Sequence, residues 1–228
     1  MKLLILHAMI KLQKTQPAPA SLSSQECRDT LEAIRIKKAN GEKITAKDFD
    51  TLYGKEDVRQ QLMDDQYKKC AYCEKTIEDE QRHVDHYRPK SLYNKLAFTW
   101  DNLVGACWAC NKDKGKQFPL DDENERFTER EIPLLINPYN EDPSEYIAFH
   151  EEEAVPKKGI TGLKLRKAEK TIEILLERET LRNRRRAKWK IIEEAQKRLA
   201  DKPMELQSIL ELLSQKEQEF SGMFKNQQ

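Results

Sequence analysis

The sequence predicts an α+β fold in which a small cysteine-rich core carries N-terminal and C-terminal helical extensions. Three observations predict it. Two Cys-x-x-Cys pairs sit near the middle of the chain. Apolar residues recur at three- and four-residue intervals on both sides of them. Charged residues make up 36% of the 228 residues against only 7 glycines, a composition that suits water-exposed helices.

The chain opens with Lys2 and the apolar Leu3, Leu4, Ile5 and Leu6 before His7 and Lys11 interrupt the run. That anatomy falls short of an export signal; it reads as a short strand, or as residues preceding a start at Met9. Pro17 to Ser24, rich in Pro, Ala and Ser, leads into Glu26 to Ala39, where Leu31, Ile34 and Arg35 are spaced as on a helix. Ala46 to Tyr67 is also expected to be helical, with Leu52, Val58, Leu62 and Tyr67 on its apolar face. The acidic run Asp121 to Glu125 reads as an exposed excursion, with a short strand or turn over Ile132 to Ile136 and a break at Asn137-Pro138. Beyond Gly162, the residues Leu163, Leu165, Ala168, Ile172, Leu175 and Leu176 predict a helix. A stop follows at Asp201 to Pro203, and Leu206, Ile209, Leu210, Leu212 and Leu213 mark a last amphipathic helix. The expected domains are an N-terminal helical extension over 1–65, a core over 66–119, an acidic loop and connecting segment over 120–160, and a C-terminal helical arm over 161–228. The apolar stripes of the arm pack on the same chain or dock a second protein.

Net charge is +1, so the chain as a whole is no polycation that coats nucleic acid. A local basic patch, Arg182, Arg184, Arg185, Arg186, Lys188 and Lys190, reads equally as a nucleic-acid contact and as a solvated helix face balanced by nearby glutamates. No apolar run approaches the ~20 residues that span a bilayer, so no membrane association is expected, and the expected location is cytoplasmic.

Cys70 and Cys73 form the first pair and Cys107 and Cys110 the second, with residues 74–106 between them. Four thiolates at this spacing are the donor set of a closed structural Zn²⁺ site. Such a site leaves no open position for a reactive water, so this ion is expected to hold the fold and contribute folding free energy. A redox pair would need a βαβ context, and disulfides are disfavoured in the cytoplasm. Cys27 stands outside the pairs as a small buried residue.

Between the pairs lie His83-Val84-Asp85-His86-Tyr87-Arg88-Pro89-Lys90-Ser91 and Trp100-Asp101-Asn102-Leu103, and Asn111 follows the second pair directly. Taken singly, Asn102 also reads as a turn residue and Asn111 as a helix cap. Together, in this order, the segment resembles the HNH (ββα-metal) nuclease family from the first pair to Lys114, about a fifth of the chain. The resemblance implies that His86 is the general base, that Asp85 and Asn111 are ligands of a catalytic Mg²⁺ or similar divalent ion, and that Asn102 organises the loop positioning His86. Phosphodiester hydrolysis needs those two parts: a base for water, and a cation for charge on the phosphate oxygens. Asp85 is expected to end a strand and Asn111 to open a helix. His83 shares the strand face of Asp85, where it is a ligand, a hydrogen-bonding partner of one, or a packed residue. Lys90 and Lys114 approach the substrate phosphate or remain exposed.

Further stretches narrow the resemblance: Cys70 to Glu74, the Arg88-Pro89-Lys90-Ser91 ending, Leu135-Ile136-Asn137-Pro138 with Asp142-Pro143, and Lys170-Thr171-Ile172 followed by Leu181. They are similar to the PtuB nucleases, the HNH subunits of Septu and of certain retron-associated anti-phage systems. That implies a nucleic-acid substrate, DNA or an RNA such as tRNA, and a PtuA-like ABC-type ATPase as partner. It leaves room for a retron reverse transcriptase and its noncoding RNA. Glu177 departs from the family, which is expected to carry Asn there. The competing reading is a non-catalytic four-cysteine zinc module that binds nucleic acid or a protein; it needs the cysteines but not Asp85, His86, Asn102 and Asn111 together.

Overall fold

A computed structural model of the chain describes residues 6–7, 9–49, 51–199 and 202–224. Leu3, Leu4 and Ile5 of the opening run and Asp201 of the helix stop lie outside the described residues. The chain divides into two compact units, one of Gln13–Lys68 with Ile77–Phe118 and the other of Met1–Leu12, Lys69–Thr76 and Pro119–Gln228.

The first of these holds a ββα arrangement. Strand β2 (His83–His86) pairs antiparallel with β3 (Leu103–Ala106), matching Val84 with Gly105 and His86 with Leu103. Helix α3 (Trp108–Lys114) follows and ends at Gly115, whose φ of +47° is a backbone conformation that glycine adopts cheaply. Helix α1 (Gln25–Ala39) is capped by the Ser24 hydroxyl, which accepts from the Cys27 N–H.

The expected helix over Ala46 to Tyr67 is divided. Ala46–Phe49 and Leu52–Gly54 are 3-10 turns, and the α-helix, α2 (Glu56–Asp65), begins only after Lys55. Gly54 has low helix propensity, and Glu56 and Asp57 place their charges at the positive end of the helix. Tyr67 falls beyond the helix with φ of +56°. Val58, Leu62 and Met63 are buried, as are Leu103 and Val104. The Gln66 amide fastens the two elements: Gly105 N–H donates to Gln66 Oε1 at 2.7 Å, and Gln66 Nε2 donates to the Gly105 carbonyl at 2.9 Å. A side chain at residue 105 would collide with Met63 Cε and the Gln66 amide.

The other unit contains a three-stranded antiparallel sheet in the order β1 (Leu6–His7), β4 (Ile147–His150), β5 (Glu153–Pro156). Sequence periodicity does not reveal the β4–β5 hairpin, because four-residue strands around a Glu-Glu turn are too short to show alternation. Ile132 to Ile136 forms no named strand; Pro133 makes an isolated bridge with Leu120, and Leu134 to Ile136 are buried. The helix after Gly162 is α4 (Gly162–Thr171), which runs into a π-helical turn at Ile172–Leu176 before α5 (Glu179–Arg198). Helix α6 (Pro203–Leu213) starts with proline at its first position, where no N–H is needed.

Three arginines of the basic patch on α5 pair with glutamates of their own unit. Arg182 pairs with Glu153, Arg184 with Glu219 at 2.9 Å and Arg186 with Glu152 at 2.7 Å. Arg185 is 1% exposed, donates to the carbonyls of Glu152 and Leu176, and lies over the Phe149 ring. Arg182, Arg185 and Arg186 hold the helix to the β4–β5 hairpin. Of the two readings of the patch, this favours the balanced helix face.

Candidate active site

The four cysteines of the two pairs are buried, and their sulfurs all lie within 4.8 Å of one another. A tetrahedral zinc with Zn–S bonds of about 2.3 Å spaces its sulfurs at about 3.8 Å, so the cluster could hold such an ion. The first pair is a tight turn: Cys70 N–H donates to the Lys75 carbonyl and Glu74 N–H to the Cys70 carbonyl, both at 2.9 Å. Glu74 has φ of +57°. Its buried carboxylate accepts from Lys69 Nζ at 2.9 Å and from Ser221 Oγ and Gly222 N–H at 3.1 Å each. The C-terminal turn thus braces the first cysteine turn.

Asp85, His86 and Asn111 line one cleft of about 460 Å³; its lining residues do not include His83 or Asn102. Strand β2 ends at His86, so the alternation that would send neighbouring side chains to opposite faces stops there, and Asp85 and His86 reach the same cleft. Asp85 is the penultimate residue of the strand. Asn111 does not open its helix; it is the fourth residue of α3, because Cys107 takes the N-cap position and Trp108 begins the helix.

His86 is 5% exposed. Its Nε2 lies 2.8 Å from the Ala97 carbonyl, and since a carbonyl oxygen only accepts, Nε2 carries the proton and Nδ1 keeps the lone pair. Burial pushes its pKa down to about 3, with the Lys90 and Lys114 charges adding to the shift and the Ala97 bond opposing it. The imidazole is therefore neutral at pH 7, the state a proton acceptor needs.

Asn102 does not touch the imidazole. Its side chain accepts from Arg88 N–H at 2.8 Å and donates to the carbonyls of Arg88 at 3.0 Å and Leu96 at 3.2 Å, while its own carbonyl accepts from Tyr87 N–H at 2.8 Å. Three of these bonds tie both ends of the 87–102 connection together, directly after His86, and the fourth holds its middle at Leu96.

Lys114 neither approaches a substrate nor stays exposed. It is wholly buried, 3.0 Å from Asp85 Oδ2, and donates to the His86 carbonyl at 2.7 Å. The spacing of an Asn and a Lys on one helix turn gives no sign of this. Tyr53 and Phe49 also line the cleft, from a segment the sequence marks only as helical, as does Lys43 just before it.

The oxygen donors of Asp85 and Asn111 in one cleft fit a hard divalent cation such as Mg²⁺. A neutral imidazole with a free lone pair and two oxygen donors in one cleft are groups that the hydrolysis of a phosphodiester can use. In agreement with that, residues 70–117 match the family model described as HNH endonuclease. The chain is similar to Septu protein PtuB of Bacillus mycoides strain KBAB4, 31% identical over 187 residues, which cover 73% of this chain and 62% of that protein. Septu protein PtuB of Bacillus thuringiensis is 29% identical over 141 residues, 61% of this chain and 46% of the relative. A protein of retron Vc95 from Vibrio cholerae serotype O1 biovar El Tor, named as a candidate HNH endonuclease, is 36% identical over 76 residues, 31% of this chain and 37% of that one. The chain spans less than two thirds of the length of each relative. No helix among the described residues is long and apolar enough to cross a membrane.

Proposed function

We propose that this chain is a divalent-metal-dependent endonuclease that hydrolyses phosphodiester bonds of nucleic acid, with a zinc ion on Cys70, Cys73, Cys107 and Cys110 holding its fold. The observation that carries this reading is the cleft shared by Asp85, His86 and Asn111 inside the matched domain. His86 Nδ1 takes a proton from water; the water oxygen bonds to phosphorus, and the bond from phosphorus to the leaving sugar oxygen breaks. Asp85 and Asn111 hold Mg²⁺ or a similar ion, which when bound supplies positive charge for the phosphate oxygens. Asn102 acts at a distance by fixing the connection that follows His86. His83, half-buried at the start of β2, is a packed residue on this reading.

The likeness to PtuB proteins and to a retron protein supports a role as the nuclease of an anti-phage defence system. Its partner would be a PtuA-type ABC ATPase, and in a retron setting a reverse transcriptase with its noncoding RNA. The substrate is DNA or an RNA such as tRNA. Plasmid DNA and total tRNA are incubated with Mg²⁺ and the chain, with and without such an ATPase. Cleavage of either names the substrate class, and dependence on the ATPase names the partner. A chain that binds zinc and the ATPase yet cuts neither would instead be a binding module.

A further inference from the structure

Tyr53 lies outside the 70–117 span of the family match, yet its ring meets the ring of His86. The centroids are 4.6 Å apart with the planes at 68°, an edge-to-face contact of the favourable kind. The same tyrosine carries a second group. Lys90 Nζ sits 3.7 Å from the Tyr53 centroid and 5.6 Å from that of Phe49. All four residues line the cleft that holds Asp85 and Asn111, which Lys43 and Lys116 also line.

Each contact has a physical consequence. The bond from His86 Nε2 to Ala97 anchors one edge of the imidazole, and a ring packed at a steep angle against it restricts the remaining rotation about the side-chain bonds. A cation over an aromatic face is attracted to it while keeping its outer hydrogens for an anion. No carboxylate pairs with Lys90 among the described residues, so its charge is available to the cleft. The backbone of a nucleic acid offers one anionic phosphate per nucleotide.

We propose that Tyr53 is a positioning residue of the cleft, orienting the His86 ring and holding the Lys90 ammonium where it receives a non-bridging phosphate oxygen of the substrate strand. The segment around Tyr53 is thereby part of the substrate-binding wall. The inference rests on the nuclease reading above, and two of its tests do not depend on turnover.

The full chain is compared with Tyr53→Phe, Tyr53→Ala, Lys90→Ala and Lys90→Arg, each checked for bound zinc. Long-range proton-nitrogen NMR spectra of the four histidines, with His86 assigned by its loss in His86→Ala, report the ring tautomer. Wild type and Tyr53→Phe show the single Nε2–H form, and Tyr53→Ala shows an averaged one. Binding of fluorescein-labelled duplex DNA and labelled tRNA without Mg²⁺ reports Lys90. Lys90→Ala weakens the better-bound probe about 10-fold and removes about one ion from the salt dependence, whereas Lys90→Arg restores it. With Mg²⁺, Tyr53→Ala lowers kcat about 10-fold or more, and Lys90→Ala acts mainly on KM. An unchanged His86 tautomer in Tyr53→Ala overturns the positioning role, and unchanged affinity in Lys90→Ala overturns the phosphate contact. Absence of wild-type cleavage with both effects present would instead overturn the nuclease reading.

Discussion

The ammonium of Lys114 lies 3.0 Å from the buried carboxylate of Asp85 and donates to the carbonyl of His86. One side chain of α3 thus holds two consecutive residues of β2, and does so without exposure to solvent. Removing one partner of a buried ion pair leaves the other charge uncompensated, at a cost of about 3–5 kcal/mol. We expect Lys114→Met to lose roughly that much in urea or thermal unfolding. A change within about 0.5 kcal/mol, the size usual for a surface lysine, would contradict this geometry.

Lys14 gives a pH dependence of known sign. Its ammonium donates to the Leu103 carbonyl at 2.8 Å and lies 3.6 Å from the Trp100 ring centroid. Burial pushes its pKa down to about 7, with Asp65 and Asp101 opposing the shift. In the unfolded chain the lysine returns to its ordinary value of 10.5. Between those values the unfolded state binds more protons than the folded one, so stability rises with pH above 7. For one proton the slope is at most about 1.4 kcal/mol per pH unit. Unfolding free energies measured from pH 7 to 10 are expected to show this rise in wild type and to lose it in Lys14→Met.

Gly105 is fixed by close approach and not by its backbone angles. A methyl group there meets Met63 and the Gln66 amide, so Gly105→Ala is expected to cost about 1–3 kcal/mol. Gln66→Ala, which strips two hydrogen bonds from the same backbone, should cost a similar 1–3 kcal/mol, of order a net buried hydrogen bond with its desolvation. Combining the two changes is expected to cost less than their sum, because they act on one contact. Chemical denaturation of the three variants tests this.

The cysteine cluster predicts metal linkage. Purified chain should contain about one zinc, and removing it with a chelator should lower the unfolding midpoint by several degrees or more, since zinc binding is folding free energy. Re-addition of Zn²⁺, and not of Mg²⁺, should restore the midpoint. A metal-free chain with an unchanged melting curve would show that the four sulfurs are not a structural site.

What the sequence reveals depends on how local the signal is. Two Cys-x-x-Cys pairs announce a donor set, and Asp85, His86 and Asn111, singled out in the sequence by resemblance to a family motif, line one cleft. Helix α1 is legible from the spacing of Leu31, Ile34 and Arg35. Contacts that depend on three-dimensional return of the chain are not legible: Lys114 reads as a phosphate-contacting or exposed lysine, and Tyr53 and Lys90 are 37 positions apart in sequence yet stacked. The helix expected over Ala46 to Tyr67 fails at Gly54, where propensity outweighs apolar spacing. The basic run on α5 is conspicuous in sequence, while the glutamates that pair with three of its arginines, Glu152, Glu153 and Glu219, are spread over two distant segments.

The most direct test of the central claim is cleavage of plasmid DNA and of total tRNA by wild type and by His86→Ala, both carrying zinc and both melting at the same temperature, with Mg²⁺. Loss of the base should slow cleavage by about 10²–10⁴-fold while zinc content and fold are kept. Equal cleavage by the two proteins would contradict the assignment of His86 as the group that takes the proton from water.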